Sequence, residues 1–395
     1  MQLSHEHHEM QRTTVKLIEE HIHPDLDEWE RDQIFPAHQV MKKFAEAGLL
    51  GIGKPEQYGG LDLDFSFEML FAETLGNIRS SGIGTALGVQ TTMCTPALLA
   101  HGSEALKQEF LVPTIAGELV GCIGVSEGHA GSDVSKIKTT ARRDGGDYVI
   151  NGSKMWITNG IQGDWICLLV NTSEQGGPHR NKSLIVVPLK TKGVSVSRKL
   201  DKLVLRCSDT AELFFDDVRV PARNLIGEEG QGFIYQMAQF QEERMFVTAR
   251  GLRAMEMCIE ETIEYASQRQ VFGQSVLSNQ SVYHKLSAMQ TEVEAARALL
   301  YRATDAYMAG EDVTKLASMA KYMVGKMSMS IPSECLQFWG GQGVMNENWI
   351  SRAFRDIRQT AIGGGANEIM LEVVAKSLGI HPGRKNSKGH ANERN

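Results

Sequence analysis

The helical repeat of this chain breaks off near Cys122 and resumes at Gly232, and any fold it adopts must accommodate that change of period. From about Glu6 to Gly117, apolar residues recur at three-to-four spacing. Phe44, Leu49 and Leu50 close one run before Gly51, and Phe67, Leu70, Phe71 and Leu75 close another before Gly76. Such spacing lines up side chains on one face of a helix. From Cys122 to Val220 the repeat gives way to short β-rich runs between turn residues: Asp147-Tyr148-Val149-Ile150 ahead of Asn151-Gly152, then Trp165 to Val170, Ser183 to Val187, Gly193 to Val196 and Glu212 to Phe215. Runs of this length predict an antiparallel sheet or small barrel. From Gly232 to about Leu378 the chain is rich in Ala, Met, Glu, Gln and Leu, which suits a bundle of long helices. The fold class expected is α+β: an N-terminal helical domain over 1–118, a central β domain over 119–228, a helical bundle over 229–380 and a disordered polar tail over 381–395.

A net charge of -7 with both signs interspersed supplies no basic stripe for nucleic acid, and the one cationic cluster, Arg384-Lys385 to Lys388, lies in the polar tail. The cysteines Cys94, Cys122, Cys167, Cys207, Cys258 and Cys335 are scattered without a C-x-x-C pair, so neither a zinc site nor a disulfide framework is expected. His5, His7, His8, His21 and His23 read as a solvated helix face rather than a metal site. No apolar stretch reaches the length of a membrane span, and the first twenty residues are rich in His and Glu, unlike a signal peptide. A soluble intracellular protein is expected, cytoplasmic in a bacterium or in the mitochondrial matrix of a eukaryote. Gly82, Gly84 and Gly88 have the wrong spacing for a Rossmann fingerprint.

Four segments carry chemistry. Cys122 to Asp133 is a run of small residues and hydroxyls, in which Ser126, Ser132 and the backbone amide of Val125 could approach a planar ring and a pyrophosphate. Asn151 to Gly160 places Trp156 and Thr158 two apart on a strand. In Gln337-Phe338-Trp339-Gly340-Gly341-Gln342-Gly343, adjacent glycines within a helical region cost roughly 1 kcal/mol each against alanine, so close approach of a cofactor's phosphates and ribose would explain them. Arg269-Gln270-Val271-Phe272-Gly273, with Gln280 beyond it, offers a guanidinium fork suited to a diphosphate.

Taken with the order of domains, these motifs resemble the acyl-CoA dehydrogenase family over residues 6 to 380, with Lys136 standing where the family often has a small residue. The resemblance implies that family's fold, with its C-terminal four-helix bundle, and FAD as cofactor. It implies that Val125, Ser126 and Ser132 line the flavin, with Ser132 also on the substrate, that Trp156 covers one face of the isoalloxazine and that Thr158 hydrogen-bonds near its redox nitrogen. Arg269, Phe272 and Gln280 would reach the FAD of a second subunit, Gln337, Gly340 and Gly341 would meet its phosphates and ribose, and Glu368 would lie beside the cofactor. A homo-oligomer follows, the family's tetramer, with electron-transferring flavoprotein as electron acceptor and fatty acid β-oxidation as the setting.

The reaction implied is oxidation of an acyl-CoA to its trans-2-enoyl-CoA, a carboxylate taking the α proton while the β carbon gives hydride to the flavin. Many relatives carry that carboxylate in a Y-E-G-T/S loop, but here Ile362-Gly363-Gly364-Gly365-Ala366-Asn367-Glu368 has Gly364 in its place. Gly364 keeps its backbone N–H, a donor for the thioester oxygen. The base then falls to Glu243, whose pairing with Arg244 is similar to long-chain and isovaleryl-CoA dehydrogenases. Glu243 follows Phe240 by three residues and precedes Val247 by four, on an apolar helix face where partial desolvation would raise its pKa. Glu242 is the alternative base. Arg244 and Gly364 are expected to touch substrate. The glycine loop leaves room for a long or branched acyl chain, and the whole chain is similar also to citronellyl-CoA dehydrogenases. An acyl-CoA oxidase and a catalytically silent acyl-CoA-binding protein are the rival readings.

Overall fold

The computed structural model describes residues 1–382, and the polar tail beyond lies outside them. Eight helices come first: α1 (His5–His21), α2 (Leu26–Asp32), α3 (Ala37–Glu46), α4 (Phe65–Thr74), α5 (Ser81–Gly88), α6 (Pro96–His101), α7 (Glu104–Leu106) and α8 (Val112–Ile115). Ser4 caps α1 by accepting from the His7 N–H, while the His7 ring accepts from the Ser4 N–H, a reciprocal capping box. This corrects the expectation of a solvated histidine face. His7 is buried, bonds Ser66 Oγ through Nε2 at 2.8 Å and stacks on Phe67 at 3.6 Å, because α4 covers that side of α1.

The middle of the chain forms strands β1 (Gly121–Gly124), β2 (Thr140–Asp144), β3 (Asp147–Thr158), β4 (Trp165–Asn171), β5 (Lys182–Pro188), β6 (Val194–Lys199), β7 (Thr210–Pro221) and β8 (Leu225–Ile226). They make one eight-stranded sheet in the order β6-β7-β3-β2-β4-β5-β8, with β1 pairing on β4. The sheet is mixed rather than antiparallel throughout: β4 runs parallel to both β1 and β2. The buried run of β4, Trp165 to Val170, is compatible with such pairings. Asn151-Gly152, read from sequence as a turn, lies inside β3, at a shift in its register with β7. There Asn151 exchanges hydrogen bonds with Asp217, so the irregularity is held within the ladder and does not end the strand.

The remaining chain is helical: α9 (Gly232–Gln268), a small hairpin of β9 (Gln270–Val271) and β10 (Gln274–Ser275), α10 (Gln280–Met308), α11 (Thr314–Trp339), α12 (Trp349–Ile357) and α13 (Asn367–Ser377). α9, α10 and α11 pack on one another and α13 packs on α11. The first helices and this bundle share a core, in which Phe44, Phe71 and Leu87 join Phe246, Leu252 and Val324. Gly88 permits the closest approach: a β-carbon there would fall 2.3 Å from the Phe246 ring. A second core places Leu98 and Phe110 against Trp165 on one sheet face, and a third fills the other face around Tyr148, Ile166 and Leu213. All six cysteines are free and buried. Among the described residues, no helix is long and apolar enough to cross a membrane.

Candidate active site

The N-terminal half of α9 is pinned before it meets any ligand. Gln239 accepts from the Ala97 N–H at 3.1 Å and donates to the Met93 carbonyl, tying α9 to the start of α6. One turn on, Glu243 and Val247 face the segment that follows α12. A β-carbon on Gly364 would stand 3.2 Å from Val247 Cγ2 and 3.6 Å from Glu243 Oε1. Gly364 and Gly365 have φ of 64° and 98°, a region that only glycine enters readily, so this loop can take the path it does only without side chains. Burial drives the Glu243 carboxyl up to about 7, against the opposing pull of Arg244 and Lys321. Arg244 is itself buried, and its Nε has no hydrogen-bond partner among the described residues although Nη1 donates to Gln241 Oε1 at 3.1 Å.

Glu242 looks the other way. Its Oε1 accepts from the Tyr307 hydroxyl at 2.6 Å, and it shares its surroundings with Glu68 and Lys54, whose own ion pair spans 3.3 Å. Burial and Glu68 raise its pKa, while Lys54 and Tyr307 work against them. The carboxyl is thus engaged in a polar cluster between α9, α4 and α10.

The hydroxyl-rich segment after β1 lies beside the end of β3. The Met155 N–H donates to the Ser126 carbonyl at 3.0 Å, and a β-carbon on Gly131 would stand 3.7 Å from the Trp156 ring. Trp156 has a φ of 62° at a register shift between β3 and β7, and this bulge turns the indole outward so that it is 54% exposed. Val125 is buried, Ser126 and Thr158 are half-buried and Ser132 is exposed. Beneath them Lys154 donates to the Val125 carbonyl and to Glu127 Oε1, each at 3.0 Å, while Glu127 also accepts from Thr139. Burial would raise the Glu127 carboxyl, but Lys154 and these hydrogen bonds hold it below its usual range. Burial in turn pulls Lys154 down to about 8.

Arg269, Phe272, Gln280, Gln337, Gly340 and Gly341 form a separate set. Tyr265 stacks on Trp339 at 4.2 Å and donates to its carbonyl at 3.2 Å, which joins the end of α9 to the end of α11. Gly340 and Gly341 are exposed, and a β-carbon on either would meet nothing within 4 Å. Phe272 stands fully exposed at the hairpin tip with a φ of 48°. At 1.5 Å of rise per residue, Arg269 lies about 40 Å along α9 from Glu243. Glu368 is exposed in the first turn of α13.

Sequence reasoning passed over two buried lysines. Lys154 sits at an inward position of β3, and a lysine in that register was the available sign. Lys321 is fully buried on α11 and donates to the carbonyls of Thr360 at 2.6 Å and Gly365 at 2.7 Å. Its neighbours on the apolar face, Ala317, Ala320 and Val324, marked it in the same way.

A helical layer, a mixed sheet and a helical bundle thus bring a desolvated carboxyl against a glycine loop and set an outward indole above a hydroxyl-rich turn. Residues 4–118, 122–218 and 230–379 match the N-terminal, middle and C-terminal domains of acyl-CoA dehydrogenase. The chain is 35% identical over 376 residues to the long-chain specific acyl-CoA dehydrogenase of Sus scrofa mitochondria, covering 95% of this chain and 87% of that one. Its fold superposes on an acyl-CoA dehydrogenase from Geobacillus kaustophilus with a TM-score of 0.92 at 38% identity, covering 95% and 98% of the two chains. PigA, solved with FAD and proline, superposes with a TM-score of 0.92 at 26% identity, covering 96% of this chain and 99% of that one. The chain belongs to the acyl-CoA dehydrogenase family.

Proposed function

We propose that this enzyme oxidises a long or branched acyl-CoA to the trans-2-enoyl-CoA with Glu243 as the base. The observation that carries the reading is the apposition of the Glu243 carboxylate to the glycine loop. A carboxyl held near neutrality by burial can take a proton at physiological pH, and the Gly364 N–H beside it is free of a side chain that would block a thioester oxygen. Glu242 does not compete, because Tyr307 and the Lys54–Glu68 pair occupy it. Arg244, buried with an unpartnered Nε, would add positive charge beside the substrate carbonyl.

FAD fits the residues present, since the outward indole of Trp156 offers a flat face and Gly340 and Gly341 leave backbone open to phosphates. When bound, FAD supplies the hydride acceptor for the β carbon. Val125, Ser126, Ser132 and Thr158 would hold its ring and the adjoining pyrophosphate, with Glu368 at its edge. Arg269, about 40 Å along α9 from Glu243, would with Phe272, Gln280, Gln337, Gly340 and Gly341 serve the FAD of a second copy, as the resemblance implies. That arrangement needs a dimer at least and suits a tetramer. The long-chain relative of Sus scrofa supports an extended acyl chain. Electrons would pass to an electron-transferring flavoprotein.

Anaerobic mixing of the FAD-loaded enzyme with a panel of acyl-CoAs tests this. Oxidised-flavin absorbance should fall rapidly in wild type and in Glu242→Gln but not in Glu243→Gln. Bleaching by Glu243→Gln at the wild-type rate would remove Glu243 from the role.

A further inference from the structure

Lys321 occupies a position whose consequences extend past packing. It is fully buried on α11, and its ammonium donates to the carbonyl oxygens of Thr360, just before the glycine loop, and Gly365, its last glycine. One turn along the same helix, Gly325 leaves the space that Asn367 fills: a β-carbon there would fall 2.0 Å from Asn367 Oδ1. α11 therefore grips the loop at both ends. Gly363, Gly364 and Gly365 have no side chains with which to hold themselves, and two of them sit at positive φ. Their position must be set from outside.

The same ammonium also acts on Glu243. Two charged groups face that carboxyl, Arg244 from its own helix and Lys321 from α11, and both favour its ionised form. Burial pulls Lys321 down to about 8; Glu243 favours its charged form, and Arg244 opposes it. Two carbonyl oxygens accepting from one nitrogen make a seat built for an ammonium.

We propose that Lys321 is a positioning residue for the reaction: it fixes the loop that presents the Gly364 N–H and, with the same charge, keeps the Glu243 carboxylate ready to accept a proton. The inference rests on Glu243 being the base.

The test compares Lys321→Met, Lys321→Gln and Lys321→Arg in the full-length FAD-loaded enzyme. Both neutral variants should move the acid limb of the kcat/KM profile to higher pH and lower kcat roughly tenfold at pH 7, with little change in KM. Lys321→Arg, which keeps the charge, should leave the limb in place and recover much of the rate. A second readout needs no turnover. The pH at which melting temperature responds to Glu243, taken as the difference between each background and the same background carrying Glu243→Gln, should rise in the two neutral variants. Neutral variants that hold FAD and melt like the parent but show no movement of either midpoint would overturn the proposal. So would failure of all three to fold, which would mark a purely structural lysine. If Glu243→Gln still bleaches the flavin, the base assignment falls instead, and the melting comparison still shows whether Lys321 governs that carboxyl.

Discussion

Glu243 Oε1 stands 3.6 Å from the point a β-carbon would occupy on Gly364, so the side-chain carboxylate of one and the backbone of the other form two walls of a single small space. Any substituent at Gly364 enters that space. Gly364→Ala would place a methyl against Val247 and beside Glu243 while forcing an L-residue to a φ of 64°. Left-handed backbone alone costs about 1–2 kcal/mol. The variant should unfold at lower denaturant and lose turnover with its FAD content intact, as read by urea denaturation alongside steady-state rates.

The half-buried, desolvated carboxyl of Glu243 makes a prediction opposite to the usual one for losing an active-site residue. Its folded-state pKa is raised from 4.5 to about 7. Between those values the folded protein keeps a proton that the unfolded chain has released, so stability falls as pH rises through the window and stays low above it. Glu243→Gln should therefore be inactive yet more stable than wild type at pH 8, by roughly 2–3 kcal/mol, with the gap closing toward pH 4.5. Denaturant titrations at several pH values check this, and equal stabilities at pH 8 would contradict it.

The Lys154–Glu127 pair supports the segment that carries Val125, Ser126 and Gly131 beside Trp156. Removing one member of a buried pair leaves an uncompensated charge and costs about 3–5 kcal/mol. Lys154→Met should lose stability of that order and release FAD on gel filtration, because the Val125 carbonyl loses its donor. Glu127→Gln leaves Lys154 uncompensated in its turn and sets an amide N–H against the donors of Lys138 and Thr139, so its cost should be of the same order. Full FAD retention in Lys154→Met would show that the loop holds its shape without the pair.

Much of this arrangement was legible in the residues. The change of period at Cys122 and Gly232 marked the three layers because burial dictates period: Phe67, Leu70 and Phe71 must share a helix face, and the buried run of β4 from Trp165 to Val170 must be apolar. The desolvated setting of Glu243, proposed as base from its pairing with Arg244, was readable from its spacing to Phe240 and Val247, a local property of one helix. The parallel pairing of β4 was not, because pairing direction depends on which distant strand arrives beside it. Nor was the burial of His7, which needs α4 packed across α1. Lys154 and Lys321 escaped for the same reason: a buried lysine is explained by its acceptors, and those are carbonyls contributed by other segments.

The cluster around Glu242 engages an acid only a peptide bond away from the proposed base. Tyr307 donates to Glu242 at 2.6 Å and packs on Phe65, while Lys54, buried beside Glu68, supplies positive charge to both acids. Tyr307→Phe removes a single hydrogen bond, and its loss should cost about 1 kcal/mol. Because the tyrosine hydroxyl favours the ionised carboxylate, Glu242 would then hold its proton to higher pH, and the cost would grow as the solution is made more alkaline. Lys54→Met is a harsher change: Glu68 and Glu242 would face each other without a cation, at a cost of about 3 kcal/mol or more. Neither substitution touches Glu243, so both variants should still bleach the flavin with acyl-CoA at close to the wild-type rate at temperatures where they remain folded. Loss of bleaching in Tyr307→Phe, with stability and FAD content preserved, would instead tie the Glu242 cluster to the chemistry.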